Sequence, residues 1–471
     1  MTTPFGAPMR EHFLFDTNFK NLNHGSCGTY PRAVQTALHQ HQHSAEARPD
    51  LFYRITRGQG IDESRRVVAK LLNIPVNECV FVKNATTGVA TVLRNLVFQK
   101  GDAVVYFDTI YGAVEKNVHS IMESSPVTTR KVEYVLPLSH EDLVKRFRDV
   151  VSRARGEGLN VKVAVFDTIV SVPGVRFPFE TLVEVCREEG ILSLVDGAHG
   201  IGHIPLDLGT LRADFFTSNL HKWLFVPRGC AVLHVPLRNQ HLIRTTFPTS
   251  WGYIPPPSSG EITPTATQGK SAFEYLFEYI STTDDTPWLC VPAAMKFRTE
   301  VCGGEDRIYP YLETLAREAG DIVARALGTE VMQEPGLKEG EASQLRRCGM
   351  ATVRLPIAVS SSSSSDAGSG NGGGAVMRVQ GEDGSSYLRI QASLVAAVSI
   401  WFRDTLFDKY ETFVPVFHHG GWLWTRLSAQ VYLEKEDFEW LGGVLRECCE
   451  RVEREVGVSL RSFDILSYFV V

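Results

Sequence analysis

Ser193-Leu194-Val195-Asp196-Gly197-Ala198-His199-Gly200 passes from aliphatic to acidic to glycine-punctuated within eight residues. Apolar residues without polar alternation indicate a strand buried on both faces, as in parallel sheets. An aspartate that ends such a strand stands at the carboxyl edge of its sheet, where α/β proteins bind their ligands. An Asx turn uses the same residue type equally well.

Working outward, the same kind of strand recurs. Cys79–Val82, Ala103–Phe107, Lys131–Leu136 and Val161–Asp167 precede it, and Phe215–Ser218 and Cys230–Val235 follow. Helical patterns fall between them at Ala85–Phe98, Ala113–Met122 and Glu180–Glu189, after earlier helices at Pro31–Glu46 and Gly60–Leu72. Seven strands alternating with helices predict an α/β fold with a mainly parallel sheet. A chain of 471 residues exceeds one small core, and we expect an N-terminal segment (1–58), a large domain (59–295) and a smaller C-terminal α+β domain (296–471). Within the last, Ser360–Gly374 is almost wholly serine and glycine; such a segment buries too little apolar surface to order itself and is expected to be a flexible insertion.

Composition excludes several function classes. A formal charge of −6 gives no basic footprint for nucleic acid. No apolar run reaches the roughly 18 residues of a membrane span, and Met1–Lys20 lacks the pattern of a secretory signal. The nine cysteines contain no C-x-x-C pair, which fits reduced thiols in a cytoplasmic protein and no metal site.

Four features carry chemistry. Asn84-Ala85-Thr86-Thr87-Gly88 opens a helix after a strand, where free N–H groups and two hydroxyls suit a phosphate or simply cap the helix. Tyr111, just past the next strand, offers a ring for stacking. Asp196 offers a carboxylate to a ring N–H. Lys222, in Ser218-Asn219-Leu220-His221-Lys222-Trp223, lies in an apolar setting that lowers an amine's pKa and frees it for carbonyl attack.

Taken in that order and spacing, these residues resemble the fold-type I pyridoxal-phosphate enzymes, and within them the class V aminotransferase family. The segments Leu22-Asn23-His24-Gly25-Ser26, Tyr111-Gly112-Ala113-Val114 and His221-Lys222-Trp223-Leu224 resemble its isopenicillin N epimerase-like branch, including the fungal lyases of ergothioneine biosynthesis. The resemblance implies a fold-type I PLP-transferase architecture and pyridoxal 5'-phosphate as cofactor, with Lys222 as Schiff-base lysine. Thr86, Thr87, Gly88, Tyr111, Asp196, His199, Ser218 and His221 would bind the cofactor. Thr282, in Glu278-Tyr279-Ile280-Ser281-Thr282-Thr283-Asp284, would reach the cofactor phosphate of a second subunit in a homodimer with shared active sites. Arg426 would hold the substrate α-carboxylate bidentately, with Asn23 beside it.

The implied reaction is β-elimination from a cysteine-conjugate sulfoxide, a carbon–sulfur lyase activity giving a sulfenic acid, pyruvate and ammonia. Lys222 would be the base and Tyr134 the acid for the leaving group, though a strand tyrosine with its hydroxyl otherwise satisfied reads the same way. Arg54 and Arg57, three residues apart, would share a helix face and take a second carboxylate, or stand solvated. Phe52, Tyr53, Trp422 and Trp424 are candidate faces for a quaternary ammonium group. Rival readings are an epimerase, a cysteine desulfurase (for which Cys348 is the nearest candidate thiol) and a cofactor-free binding scaffold.

Overall fold

The computed structural model describes residues 2–253, 255, 269–338, 340–360, 376–381, 384 and 386–459. Its centre is a seven-stranded sheet: β1 (Cys79–Val82), β2 (Asp102–Phe107), β3 (Thr128–Val132), β4 (Asn160–Asp167), β5 (Leu192–Asp196), β6 (Phe215–Asn219) and β7 (Ala231–His234). Their spatial order is β1-β7-β6-β5-β4-β2-β3. Only β7 runs against its neighbours β1 and β6, so the sheet is mainly parallel, as expected.

The apolar runs are explained by what covers them. Val105, Phe107 and Val195 point into one hydrophobic core, while Val104, Tyr106 and Leu194 point into a second on the opposite face. Helices pack on both faces, so the central strands are mostly apolar until the strand ends. Polarity returns at the carboxyl edge, where Asp167 of β4 sits opposite Asp196 of β5, and Asp196 opposite Thr217 of β6.

A second sheet holds β8 (Met350–Ser360), β9 (Val376–Gln380), β10 (Ser386–Gln391), β11 (Val416–His419) and β12 (Trp422–Ser428), in the order β11-β12-β8-β10-β9. The Gly174 amide donates to Thr352 Oγ1 at 2.9 Å, joining the segment after β4 to β8. Residues 361–375, most of the expected serine/glycine insertion, lie outside the described residues. The strand patterning expected to resume near Ala375 is β9.

One strand differs from expectation. Lys131–Leu136 was read as a strand, whereas β3 spans Thr128–Val132, paired with β2 from Ala103↔Thr128 to Phe107↔Val132. Backbone pairing sets its limits, and both chains leave the sheet after Phe107 and Val132. Tyr134 therefore lies in the connection beyond the strand. Among the described residues, no helix is long and apolar enough to cross a membrane, and no cluster of metal-ligating side chains occurs.

Candidate active site

Lys222 lies on a single helical turn, Leu220–Trp223, immediately after β6. Burial lowers its pKa to about 8, with the Arg426 charge acting in the same direction. Its Nζ is 3.1 Å from His199 Nε2, and Trp223 Nε1 donates to His199 Nδ1 at 3.3 Å. With Nδ1 accepting, the neutral ring carries its proton on Nε2 and donates to the lone pair of an uncharged Lys222 amine. Burial also holds His199 well below the usual histidine pKa, so it stays neutral. Among the described residues no carboxylate lies within ion-pair distance of Lys222.

The turn is held from several sides. His24 Nε2 bonds the Lys222 carbonyl at 2.7 Å, and its Nδ1 meets the Tyr432 hydroxyl at 2.9 Å. Gly28 has φ +63°, and a Cβ there would stand 1.9 Å from the His221 carbonyl oxygen; only glycine lets the Leu22–Gly28 segment dock so closely. Arg298, fully buried, donates to Trp223 O at 2.8 Å and Gly202 O at 3.1 Å, its charge matched by Glu305 at 2.6 Å. His203 stacks on Trp223 at 3.6 Å. His24 has no role legible in the sequence, although it stands within Leu22-Asn23-His24-Gly25-Ser26. Arg298 is not singled out there either, since it belongs to a helical run with no local motif; in the structure it lies on the π-turn Phe297–Val301, a feature frequent at functional sites.

Asp196 is 2 % exposed and accepts from the Ala198 amide at 2.9 Å. Ser218 Oγ accepts from the Ile201 amide at 3.1 Å. His221 Nδ1 bonds the Cys230 carbonyl at 2.9 Å; burial lowers its pKa to about 4. At the Ala85–Asn95 helix, Asn84 Oδ1 accepts from both the amide and the hydroxyl of Thr87, at 2.8 and 2.9 Å, and Asn219 Oδ1 takes the Ala85 amide at 2.8 Å. The Thr86 hydroxyl is left without a partner among the described residues. Gly88 lets this helix approach β6, because a Cβ there would meet Thr217 Oγ1 at 2.2 Å. Tyr111 precedes the Gly112–Ser124 helix with its ring 40 % exposed.

Arg426, on β12, is 1 % exposed. Its guanidinium donates to Ser171 O at 2.7 Å and to Asn23 Oδ1 and Ser26 Oγ, each at 2.6 Å. Its Nε has no partner, and no carboxylate lies within ion-pair distance among the described residues. Burial lowers its pKa to about 10. A buried guanidinium without an anion is an anion-binding site in waiting.

Other expected residues are placed differently. Arg54 and Arg57 stand in different surroundings: the backbone forms a π-turn at Phe52–Thr56 before the helix Arg57–Leu72 begins. Arg57 is buried and paired with Asp285 at 2.6 Å, while Arg54 is exposed and bonds Asp50 at 3.0 Å. Phe52 and Trp424 are buried in the core, and Arg354 already covers the Trp422 face at 4.4 Å, so these rings form no cage. Tyr53 donates to Thr283 O at 3.3 Å. Tyr134 is buried with its hydroxyl 2.5 Å from Thr109 Oγ1; burial raises its pKa. Thr282 is exposed, its hydroxyl 2.7 Å from that of Tyr279. Cys348 is buried, its pKa pushed up to about 11 by burial, the opposite of a mobile-loop nucleophile.

Among the described residues, a buried amine and a buried guanidinium without carboxylates, a buried carboxylate without a cation and the unpartnered Thr86 hydroxyl at a helix N-terminus suit a group bearing an aldehyde, a protonated ring nitrogen and a phosphate. Pyridoxal phosphate fits these residues.

Comparisons with known proteins agree with this geometry. The family model "Aminotransferase class-V" matches residues 21–249. An L-cysteine desulfhydrase-like protein of Epichloe uncinata is 43 % identical, over 96 % of this chain and 98 % of the relative. The hercynylcysteine sulfoxide lyase of Schizosaccharomyces pombe is 28 % identical, over 94 % of this chain and 98 % of its own. A solved structure of a cystine C–S lyase with its product cysteine persulfide shares the fold, with TM-score 0.66 and 17 % identity over 92 % of this chain and 98 % of that one. On the family match, the near-full-length relatives and a site that fits the cofactor, this chain belongs to the class V aminotransferase family and is a pyridoxal-phosphate enzyme.

Proposed function

We propose that this enzyme is a carbon–sulfur lyase that eliminates the sulfur substituent from Cβ of a cysteine-derived amino acid. The observation that carries this reading is the juxtaposition of Lys222, a buried amine with a pKa of about 8, and Arg426, a buried guanidinium without an anion. One is suited to an α-proton, the other to an α-carboxylate. The relatives with cysteine desulfhydrase and sulfoxide lyase names support the reaction class.

In this reading Lys222 would hold the cofactor's aldehyde carbon, Asp196 its ring nitrogen, and Tyr111 one ring face. Thr86, Thr87, Ser218 and His221 would surround its phosphate and His199 its ring. When bound, pyridoxal phosphate supplies an electron sink that stabilises negative charge at the substrate Cα. Arg426, fixed by Asn23, Ser26 and Ser171, orients the substrate by its carboxylate. Once the substrate's own amine takes its place at the aldehyde carbon, the Lys222 amine is free, uncharged in part at neutral pH, and takes the α-proton. His199 receives the Trp223 N–H and keeps the Lys222 lone pair aligned. Tyr134, which retains its proton, is our candidate donor to the departing sulfur. The sulfur leaves with the bonding pair, and the three-carbon remainder takes up one water and ends as pyruvate and ammonia.

For the specific substrate we propose hercynylcysteine sulfoxide, which would give a sulfenic acid and place the enzyme in ergothioneine biosynthesis. Support is the likeness to the Schizosaccharomyces pombe enzyme. A second reading, elimination from cysteine itself, is favoured by the neutralised Arg57 and the exposed Arg54, which build no second carboxylate site. Pyruvate release from each compound at equal concentration separates them; release from neither, by the cofactor-loaded enzyme, overturns the lyase reading. We further propose a cytoplasmic homodimer in which Thr282 of one copy meets the other's cofactor phosphate. Nine unpaired cysteines support a reducing compartment. The exposed Thr282, beside a cavity lined by Phe247 and Thr283, supports the shared site.

A further inference from the structure

Asp167 takes no part in the scheme above, yet it ends β4 at the position where Asp196 ends β5. Register partners on neighbouring parallel strands are about 4.8 Å apart, and their side chains leave the sheet on the same face. Asp167 is 4 % exposed and Asp196 2 %. Two buried carboxyl groups so placed do not both ionise, because each adds like charge to the other's desolvation. The structure also distinguishes them. Asp196 accepts an N–H bond from Ala198 at 2.9 Å, whereas the Asp167 carboxyl accepts no bond from an N–H or hydroxyl donor among the described residues. Asp196 is the better anion.

We propose that the two aspartates hold one proton between them, that it resides on Asp167, and that neutral Asp167 acts as a positioning residue, donating to Asp196 and aiming its carboxylate at the cofactor ring nitrogen. The groups facing Asp167 are Asp196 from β5, Lys222 from the turn after β6, and Tyr134 from the connection after β3. Burial, then the Asp196 charge, raises the Asp167 pKa well above the carboxylate range, and the Lys222 charge opposes this without cancelling it. A carboxylic acid is a donor only while protonated. Asp196 thereby remains the single anion beneath the ring, held by two donors from different strand ends. This deepens the reading of Asp196 as the ring-nitrogen partner and rests on it.

The test uses the holoenzyme and three variants. Infrared spectra should show the carbonyl stretch of a neutral carboxylic acid at neutral pH, lost in Asp167→Asn. The same variant keeps a donor, so its cofactor affinity should stay within about twofold and the pH midpoint of its cofactor absorbance should not move. Asp167→Ala removes the donor and should loosen the cofactor about tenfold or more, the usual worth of a hydrogen bond to a charged group. Absence of the acid band in the wild type, or a midpoint shift above about one pH unit in Asp167→Asn as an ionised neighbour requires, overturns the proposal. Asp196→Asn separates the underlying reading: full cofactor affinity there means that Asp196 is not the ring partner, whatever the infrared result.

Discussion

Arg426 and Arg57 are both buried arginines, 1 % and 2 % exposed, and they do opposite things. Arg57 meets Asp285, which also binds Lys83, both at 2.6 Å, so its charge is balanced within the fold. Among the described residues Arg426 meets only neutral oxygens and keeps an unpartnered Nε. A balanced buried charge supports the structure that surrounds it; an unbalanced one carries a desolvation penalty that a ligand's anion relieves. Lys222 stands with Arg426 on the unbalanced side. Burial alone therefore does not mark a ligand-binding cation, but burial without a counter-ion does.

The strongest pressure on that contrast comes from Lys222→Ala, for which pyruvate release should fall on the order of 10⁴-fold, the upper range for a lost acid–base group, with the fold retained by circular dichroism. Next is Arg57→Ala, which removes one of the two cations on Asp285 while Lys83 remains, and should lower the stability to denaturant by about 1.5–3 kcal/mol, the worth of hydrogen bonds to a charged group. Its kcat/KM, measured on the folded fraction, should change far less than for the first variant. An Arg57→Ala protein of unchanged stability would break the comparison.

The third test is pH. Lys222 is charged in both folded and unfolded states below about pH 8, so the full penalty of burying it applies there. Between 8 and its ordinary 10.5 the unfolded chain binds more protons, and stability rises with pH. Relative to Lys222→Met, cofactor-free wild type should therefore be less stable by about 3 kcal/mol at pH 7, with the gap closing by pH 10.5. A constant gap would contradict the buried, uncompensated amine. Arg426→Lys should lower kcat/KM about 100-fold, chiefly through KM, since an ammonium cannot reproduce the bidentate grip, while stability to denaturant holds. Smallest is Arg54→Ala: its exposed i,i+4 pair with Asp50 is worth about 0.5 kcal/mol at most, and pyruvate release from either substrate should stay within about twofold.

Much of the fold was legible in sequence. The mostly apolar strands ending on Asp167 or Asp196 declare a sheet covered on both faces. Their limits were read within one or two residues, except at β3. There Thr128–Arg130 is polar and half-buried at the sheet edge, so hydrophobicity did not reveal its start, and Tyr134 was placed on a strand it follows. The lysine and the aspartate of the candidate site stand out from motif order, and the arginine from the resemblance to the class V aminotransferase family. The histidine and arginine that brace the lysine turn were not, because His24 and Arg298 act across 198 and 75 residues of sequence on the Lys222 and Trp223 carbonyls. Arg54 and Arg57 were misjudged for a related reason, since a π-turn between them changes the helix phase on which their pairing relied.

By itself the sequence determined the alternation of buried strands and helices, the order Thr86–Tyr111–Asp196–Lys222–Arg426 and the absence of a basic footprint. The first and last follow from local periodicity and residue chemistry, and the order of site residues from the resemblance to the class V aminotransferase family. Tertiary structure alone decided which buried charges are matched, which N–H groups are capped, and that Asp167 stands beside Asp196. Those are properties of groups distant in sequence, and their energies depend on separation and solvent exclusion, which no one-dimensional spacing contains.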